Sequence, residues 1–417
     1  MIMSKAQKVR FGVVGLGGYA IAARNTIWDL AKLHPELLQL DALYSPDAAD
    51  HPTPVADLKA RGVKVCDSLE ALLAEPIDAV WLPTPIDTHR PLTVSALEAG
   101  KAVLCEKPAA GSIDDVDLMI AARDRAGKPV AIGFQDMHHP TTLAMKRDLL
   151  GGRIGKLQHA SVHVIWPRAS TYFGRAPWAG KFRRNGNWIM DSIANNACAH
   201  YLALPLFLLG STLEKAATPL SIEAELYRAN PIENFDTISM RLELDSGLTL
   251  LVLMTHAAST SVGPVLRVEG DKGLLQWTQT LVRWEEPGGA HATERDPYGG
   301  RLAMLERFCH AVQGVKSPLD VLPCSLEVAR QQVLAVNAAS EATPIHTMPQ
   351  DAYTEQPFTS GGTVRVVPGI ERALETCALR RQMLHELGQY HWTRPAGQKD
   401  LRGYRHFAGP VGLCAQV

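Results

Sequence analysis

Val9-Arg10-Phe11-Gly12-Val13-Val14-Gly15-Leu16-Gly17-Gly18-Tyr19-Ala20 decides the fold of this 417-residue chain. Val9–Val14 reads as a short buried strand, and the pattern after it predicts a helix from about Ile21 to Leu33. Between them runs G-x-G-x-x-A, in the strand-before, helix-after setting that this motif requires. Gly15 permits a tight turn, Gly17 lets the backbone approach a pyrophosphate, and Ala20 allows close helix–strand packing. The helix N-terminus then offers unpaired N–H groups to the phosphates. A dinucleotide, NAD or NADP, is the ligand these features suit.

The pattern continues outward as a β-α-β alternation. Leu37–Tyr44, a helix near Ser68–Ala74, Asp78–Leu82, a helix over His89–Ala99 and Ala102–Cys105 follow in order. The second strand ends at Ser45. A neutral hydroxyl there permits a 2′-phosphate, yet Pro46 follows and no arginine adjoins it. Asp41 sits back within the strand and Asp47 lies beyond its end, so NAD and NADP both remain open. Ala102–Cys105 ends in Glu106-Lys107-Pro108. The C-terminal ends of such strands are where open α/β sheets bind ligands, which makes Lys107 a candidate for chemistry.

Composition narrows the function classes. A formal net charge of −1 gives no basis for a nucleic-acid or anionic-membrane partner. The longest apolar run, Tyr201–Leu209, is too short to cross a bilayer and contains Pro205. Met1–Arg10 carries no apolar signal core, so the cytoplasm is the expected compartment. The 7 cysteines show no Cys-x-x-Cys spacing and read as reduced structural thiols. The adjacent His138-His139 pair lacks further ligands in metal spacing, and no metal is expected.

Three segments together resemble the Gfo/Idh/MocA family of sugar and polyol oxidoreductases. They are the glycine turn, the run from Asp78-Ala79-Val80-Trp81-Leu82-Pro83-Thr84-Pro85 through His89 and Ala96–Lys101 to Glu106-Lys107-Pro108, and Pro129–Gln135 with Gly151–Lys156. The resemblance covers residues from about 8 to 340. It implies an α/β Rossmann domain plus an α+β domain with a mostly antiparallel open sheet, and a homodimer or homotetramer. It also implies that Gly15, Gly17, Gly18, Tyr19, Ala20, Ser45, Pro83, Thr84, His89, Glu106 and Lys107 line the cofactor. The sequence supports the second domain independently. Leu157–Ile165, Ser221–Arg228, Thr237–Leu244, Leu248–Thr255, Val265–Glu269 and Leu274–Gln279 are β-rich, with turn signals at Asp245-Ser246-Gly247 and Asp271-Lys272-Gly273. The expected boundaries are 1–132, 133–345 and a C-terminal extension over 346–417.

Family members pair the E-K-P lysine with a histidine in D-x-G-x-H-x-x-D. Counting back from Gly210 aligns His200 with that histidine, and places Asn196 at the first aspartate and Ala203 at the second. The alternative register places Asp191 at the first aspartate and Asn195 at the histidine. In the preferred register His200 is the acid/base, Lys107 polarises the substrate oxygen, and Asn196 hydrogen-bonds without taking a proton. Gln135, His138, Trp166, Arg183 and Asn195 are candidate substrate residues. Aromatic faces stack on sugar C–H surfaces, and arginines clamp carboxylates or phosphates. A packed core histidine at His200 and a solvated basic loop around Arg183 are the plainer alternatives.

The leading expectation is an NAD(P)-dependent oxidoreductase acting on a secondary hydroxyl of a sugar, sugar acid or cyclic polyol. A redox-neutral glycosidase or epimerase with retained cofactor, or a non-catalytic sugar or nucleotide sensor, are the alternatives. The helices near Leu302–Gln313 and Ser325–Ala339 read as packing elements, and a further helix is expected over Ile370–Leu387.

Overall fold

The computed structural model describes residues 7–315, 322–359 and 361–412. They form two compact units. Of the described residues, unit 1 takes those within 7–110, 115–140 and 298–329, and unit 2 those within 111–114, 141–297 and 330–412. The units are therefore not contiguous in sequence. The expected boundary at 132/133 falls inside unit 1, and the described residues of 346–412 cluster with unit 2.

Unit 1 is built on strands β1 (Val9–Val14), β2 (Leu38–Tyr44), β3 (Lys64–Cys66), β4 (Ala79–Leu82), β5 (Ala102–Cys105) and β6 (Val130–Ile132). They form one sheet in the order 3-2-1-4-5-6, and all five neighbouring pairs are parallel. This is the doubly wound order, with its topological switch between β1 and β4. The crossovers carry α1 (Tyr19–Leu33), α2 (Pro52–Ala60), α3 (Leu69–Ala74), α4 (Ile86–Glu98) and α5 (Ile113–Ala126). In α1 the residues Ala20, Ala23, Ile27 and Leu30 are buried, a single helical face. The helix starts two residues before its expected first turn, immediately after Gly18. α4 starts at Ile86, so His89 lies in its first turn. The sequence reading passed over α2 and α5, whose polar residues break the apolar pattern.

Unit 2 opens with α6 (Pro140–Leu150), β7 (Leu157–Ile165), α7 (Ser170–Phe173), the short pair β8 (Arg183–Arg184) and β9 (Asn187–Trp188), and α8 (Ala199–Leu208). Then come β10 (Pro219–Arg228), β11 (Thr237–Leu244), β12 (Thr249–Thr255), β13 (Val262–Gly270), β14 (Gly273–Trp277), β15 (Leu281–Glu286) and β16 (Gly289–Glu294). After α9 (Gly299–Val312), which returns to unit 1, the chain forms α10 (Leu326–Ala342), β17 (Ile345–Thr347), β18 (Thr354–Pro357), β19 (Thr363–Val366), α11 (Ile370–Arg380) and β20 (Gly397–Asp400).

The large sheet has 10 strands in the order 16-15-14-13-7-12-11-10-17, with β20 also pairing β10. It is mostly antiparallel. β7 pairs β12 in parallel because a long excursion separates them, and β17 joins β10 in parallel from the C-terminal side. Alternation along β12 divides its side chains between two cores. Leu250, Val252 and Met254 pack with Val162, Met240 and the residues of α8. Leu251 and Leu253 face the other way, against Ile165, Tyr227 and α11. α11 ends earlier than expected because Arg381 turns into the left-handed region at φ 59°. Six cysteines are free and buried; Cys414 lies outside the described residues. Among the described residues no helix is long and apolar enough to cross a membrane.

Candidate active site

In unit 1 the turn after β1 has the geometry its glycines predict. Gly15 has φ 114°, and a Cβ there would stand 3.3 Å from Ala20 Cβ, so this position requires glycine. A Cβ on Gly17 or Gly18 would meet nothing within 4 Å, so that side of the turn is open. The first N–H groups of α1 lie at this opening, the arrangement that receives a phosphate. Ser45, at the end of β2, donates to Asp47 Oδ1. The carboxylate that sequence spacing placed too far forward is thus folded back to the strand end.

Lys107 is the only residue between Ala102 and Ile113 that is not fully buried. Its neighbour Glu106 is buried, accepting from the Trp81 indole N–H at 3.2 Å and from the Lys107 backbone N–H at 3.3 Å. Burial pushes the Glu106 carboxyl up to about 7, against the opposing pull of Lys107, Trp81 and Arg301. Tyr19, at the start of α1, is raised by burial and by the Glu106 charge. His89 is fully buried. Its Nδ1 lies 2.8 Å from the Pro108 carbonyl and its Nε2 2.9 Å from that of Thr84. It ties the turn after β4, with Pro83 and Thr84, to the turn after β5, and burial lowers its proton affinity. His89 therefore holds the walls together and presents no surface of its own. Gln135 and His138 occupy a single turn after β6. His138 is completely buried, neither ring nitrogen has a hydrogen-bond partner among the described residues, and burial with Arg307 lowers it to about 3.

In unit 2, α8 is apolar on all sides, and His200 is its only residue that is not fully buried. Asn196 and Ala197 share that half-open face. They belong to a π-helical turn, Ile193–Ala197, closed by Cys198 N–H donating to the Ile193 carbonyl at 2.8 Å. Such single-turn bulges recur at functional sites. Asn196 Nδ2 donates to Asp191 Oδ1 at 2.6 Å, which sets the orientation of the amide. Asp191 also accepts from Arg175 at 3.1 Å and from Gly180 N–H at 2.6 Å. Asn195 is fully buried, donating to the Ile189 carbonyl and accepting from Gln332. The structure thus brings Asp191 and Asn196, which belong to different registers, into direct contact, and turns Asn195 inward.

Trp166 is half-buried, donates to the Gly263 carbonyl at 3.2 Å, and packs edge-on to Tyr201. Arg183 is exposed and stacks over Trp188 at 3.6 Å. The end of the segment expected to form a substrate loop is a tight hairpin: Asn185 and Gly186 have φ 49° and 79° between β8 and β9. The Asn-Gly pair was the signal for it. Sequence reasoning placed Arg175 only within the aromatic and basic segment before Asp191, without its partner, and missed Arg301. Neither lies in a motif, and only the fold brings Arg175 to Asp191 and Arg301 to Tyr19.

Comparison with known proteins adds independent findings. The family model described as "Oxidoreductase family, NAD-binding Rossmann fold" (GFO_IDH_MocA) matches residues 9–134, and the "GFO/IDH/MocA C-terminal domain" matches 142–276. The chain is 31% identical over 292 residues to an inositol 2-dehydrogenase of Corynebacterium glutamicum, covering 68% of this chain and 78% of that protein. It is 28% identical over 216 residues to a D-apiose dehydrogenase of Paraburkholderia graminis, covering 50% of this chain. That match spans about half of the relative's length, 53%. The fold is that of the WlbA dehydrogenase of Bordetella pertussis, solved in complex with NADH and UDP-GlcNAcA. The TM-score is 0.65 at 23% identity, over 80% of this chain and 97% of that one.

Proposed function

This chain belongs to the GFO/IDH/MocA family of NAD-binding oxidoreductases, and we propose that it oxidises or reduces a secondary hydroxyl of a sugar, sugar acid or cyclic polyol. The observation that carries this reading is Lys107, the one half-open residue in an otherwise buried stretch at the C-terminal end of β5. It stands on the same sheet edge as the glycine turn, in a family whose relatives are named dehydrogenases of inositol and apiose.

The residues present fit a nicotinamide dinucleotide: an open glycine turn at a helix N-terminus, and Asp47 folded to the end of β2. A carboxylate at that position accepts from ribose hydroxyls and repels a 2′-phosphate, which favours NAD over NADP. A bound nicotinamide supplies the hydride acceptor or donor. Lys107 donates to the substrate oxygen and stabilises alkoxide charge as it develops. His200 takes the hydroxyl proton in oxidation and returns it in reduction. Asn196, its amide oriented by Asp191, holds a substrate hydroxyl in register with the imidazole. The half-open face shared by Asn196 and His200 on an otherwise buried helix supports this assignment.

The test is turnover. Purified protein with NAD+ or NADP+ is offered inositols, aldoses, ketoses and uronic acids, and reduced-nicotinamide absorbance is followed. Steady growth of absorbance with one of these classes is the expected result. Tight nucleotide binding without turnover on any class, or in reverse with keto-sugars, would overturn the reading.

A further inference from the structure

The last described stretch of unit 2 is a strap anchored on α10 and on Asp114. β20 pairs with β10, and Leu401 N–H donates to the Leu220 carbonyl at 2.8 Å. Residues 404–411 then form no helix or strand, yet they are tied down closely. His406 Nδ1 lies 2.7 Å from Asp114 Oδ1, and Phe407 N–H donates to Asp114 Oδ2 at 2.9 Å. Ala408 N–H donates to Glu341 Oε1 at 2.6 Å, and Val411 N–H to the Ser340 carbonyl at 2.9 Å. Irregular backbone with this many fixed partners resists local opening.

What the strap grips is Trp188, in the hairpin β8–β9. The Phe407 ring is buried, with its centroid 4.9 Å from that of the indole and the two planes tilted by 54°. Gly409 has φ 110°, and a Cβ there would stand 2.9 Å from Trp188 Cη2, so glycine lets the strap close on the indole. The Trp188 backbone is confined as well. A Cβ on Gly111 would overlap the Trp188 carbonyl, and the Gly111 carbonyl accepts from Asn337 of α10 at 2.9 Å.

Three residues separate this grip from the carboxylate that orients Asn196. Ile189 and Met190 N–H donate to the Phe182 carbonyl at 2.9 and 3.1 Å, and Asp191 N–H donates to that of Lys181 at 2.9 Å. The Ile189 carbonyl accepts from Asn195 at 3.4 Å. A shift of Trp188 therefore reaches Asp191 through a short, continuously bonded path, and Asn196 Nδ2 is bonded to Asp191 at 2.6 Å.

We propose that Phe407 is a positioning residue for Asn196: by seating Trp188, the strap sets the hairpin and with it the Asp191 carboxylate on which the amide is aligned. The inference rests on the reading of Asn196 as a substrate-binding amide, yet the grip on the hairpin can be measured without any substrate. A strap that only covers α10 would leave the hairpin unchanged when its ring is removed.

Hydrogen–deuterium exchange of the free full-length protein, followed in peptides over 181–198, reads the grip. Phe407→Ala speeds exchange there about tenfold, while Phe407→Leu, which keeps most of the apolar volume, speeds it less than about threefold. Leu374→Ala loosens the core under α11 and leaves these peptides unchanged. In turnover, Phe407→Ala lowers kcat about tenfold, with substrate KM and nucleotide affinity moved less than about threefold. In an Asn196→Ala background the same substitution lowers kcat no further. Unchanged exchange in Phe407→Ala, or an equal rise in Leu374→Ala, overturns the grip. Faster exchange with an unchanged kcat, or losses that multiply in the double variant, overturn the link to Asn196. Absence of turnover by the unmodified protein counts against the proposed reaction alone, and the exchange arm still decides for or against the strap.

Discussion

The side-chain amide of Asn196 donates to Asp191 Oδ1 at 2.6 Å, and Arg175 and Gly180 N–H close on the same buried carboxylate. Asp191 is thus the hub that holds the half-open face leading to His200. Asp191→Ala leaves three donors without their acceptor and costs about 3 kcal/mol of unfolding free energy, as measured by urea denaturation. Asn196→Ala removes one donor, costs about 1 kcal/mol, and lowers turnover tenfold or more. Full turnover in Asn196→Ala would reduce Asn196 to a packing role.

Lys107→Met keeps the length of the side chain and removes its ammonium. We expect kcat to fall on the order of 10³-fold, about 4 kcal/mol of transition-state stabilisation. Nucleotide affinity, read by calorimetric titration, should stay within a few-fold. Normal turnover in this variant would remove Lys107 from the chemistry.

On the proposed reading, Asp47, held by Ser45 at the end of β2, sets the dinucleotide preference. Asp47→Ala removes the carboxylate that repels a 2′-phosphate and should raise the NADP-to-NAD ratio of kcat/KM about tenfold. An unchanged ratio would place the ribose end away from β2.

Of this architecture, the nucleotide-binding half was legible because its evidence is local. A strand, a glycine turn and a helix start lie within twelve consecutive residues, and β5 with Glu106-Lys107-Pro108 can be read as one word. The second site was legible only in part. The distance from Gly210 favours His200, but the motif match also admits a register five residues earlier, and spacing alone does not show that the π turn at Ile193–Ala197 brings residues of both registers, Asp191 and Asn196, into contact. The partners of Arg175 and Arg301 depend on tertiary contacts, for which spacing carries no signal, and the folding back of Asp47 is a local hydrogen bond to Ser45 that residue type alone does not fix. The stretch from 346 was read as an extension because the family resemblance ends near 340, although Ile370, Ala373, Leu374 and Cys377 form a buried stripe on α11.

The Glu106 carboxyl, raised by burial to about 7 in the folded protein, makes stability depend on pH. The folded state binds this proton more tightly than the unfolded chain, whose carboxyl titrates near 4.5. Unfolding free energy therefore falls as pH rises between about 4.5 and 7, by at most about 1.4 kcal/mol per pH unit from this group. Below that window the penalty is absent, and above it the penalty is complete. Glu106→Gln should flatten the curve in this window, as measured by denaturation at a series of pH values. An identical slope in the variant would show that Glu106 is not the group responsible.

Leu374 is fully buried in the cluster formed by α11 with Ile165, Tyr227, Leu251 and Leu253. Leu374→Ala should cost about 3 kcal/mol. A loss below 1 kcal/mol would mean that α11 lies loosely on the strands.

That helix has a consequence for how the second unit responds to dilution. The apolar side of β7 and β12 is covered by a segment tethered to the same chain, present at an effective concentration that sample volume does not change. A face covered by a separate molecule is protected by mass action and is exposed as the protein is thinned out. Here the cover and the surface it shields arrive together from one translation product, so the integrity of this sheet is a first-order property of the polypeptide.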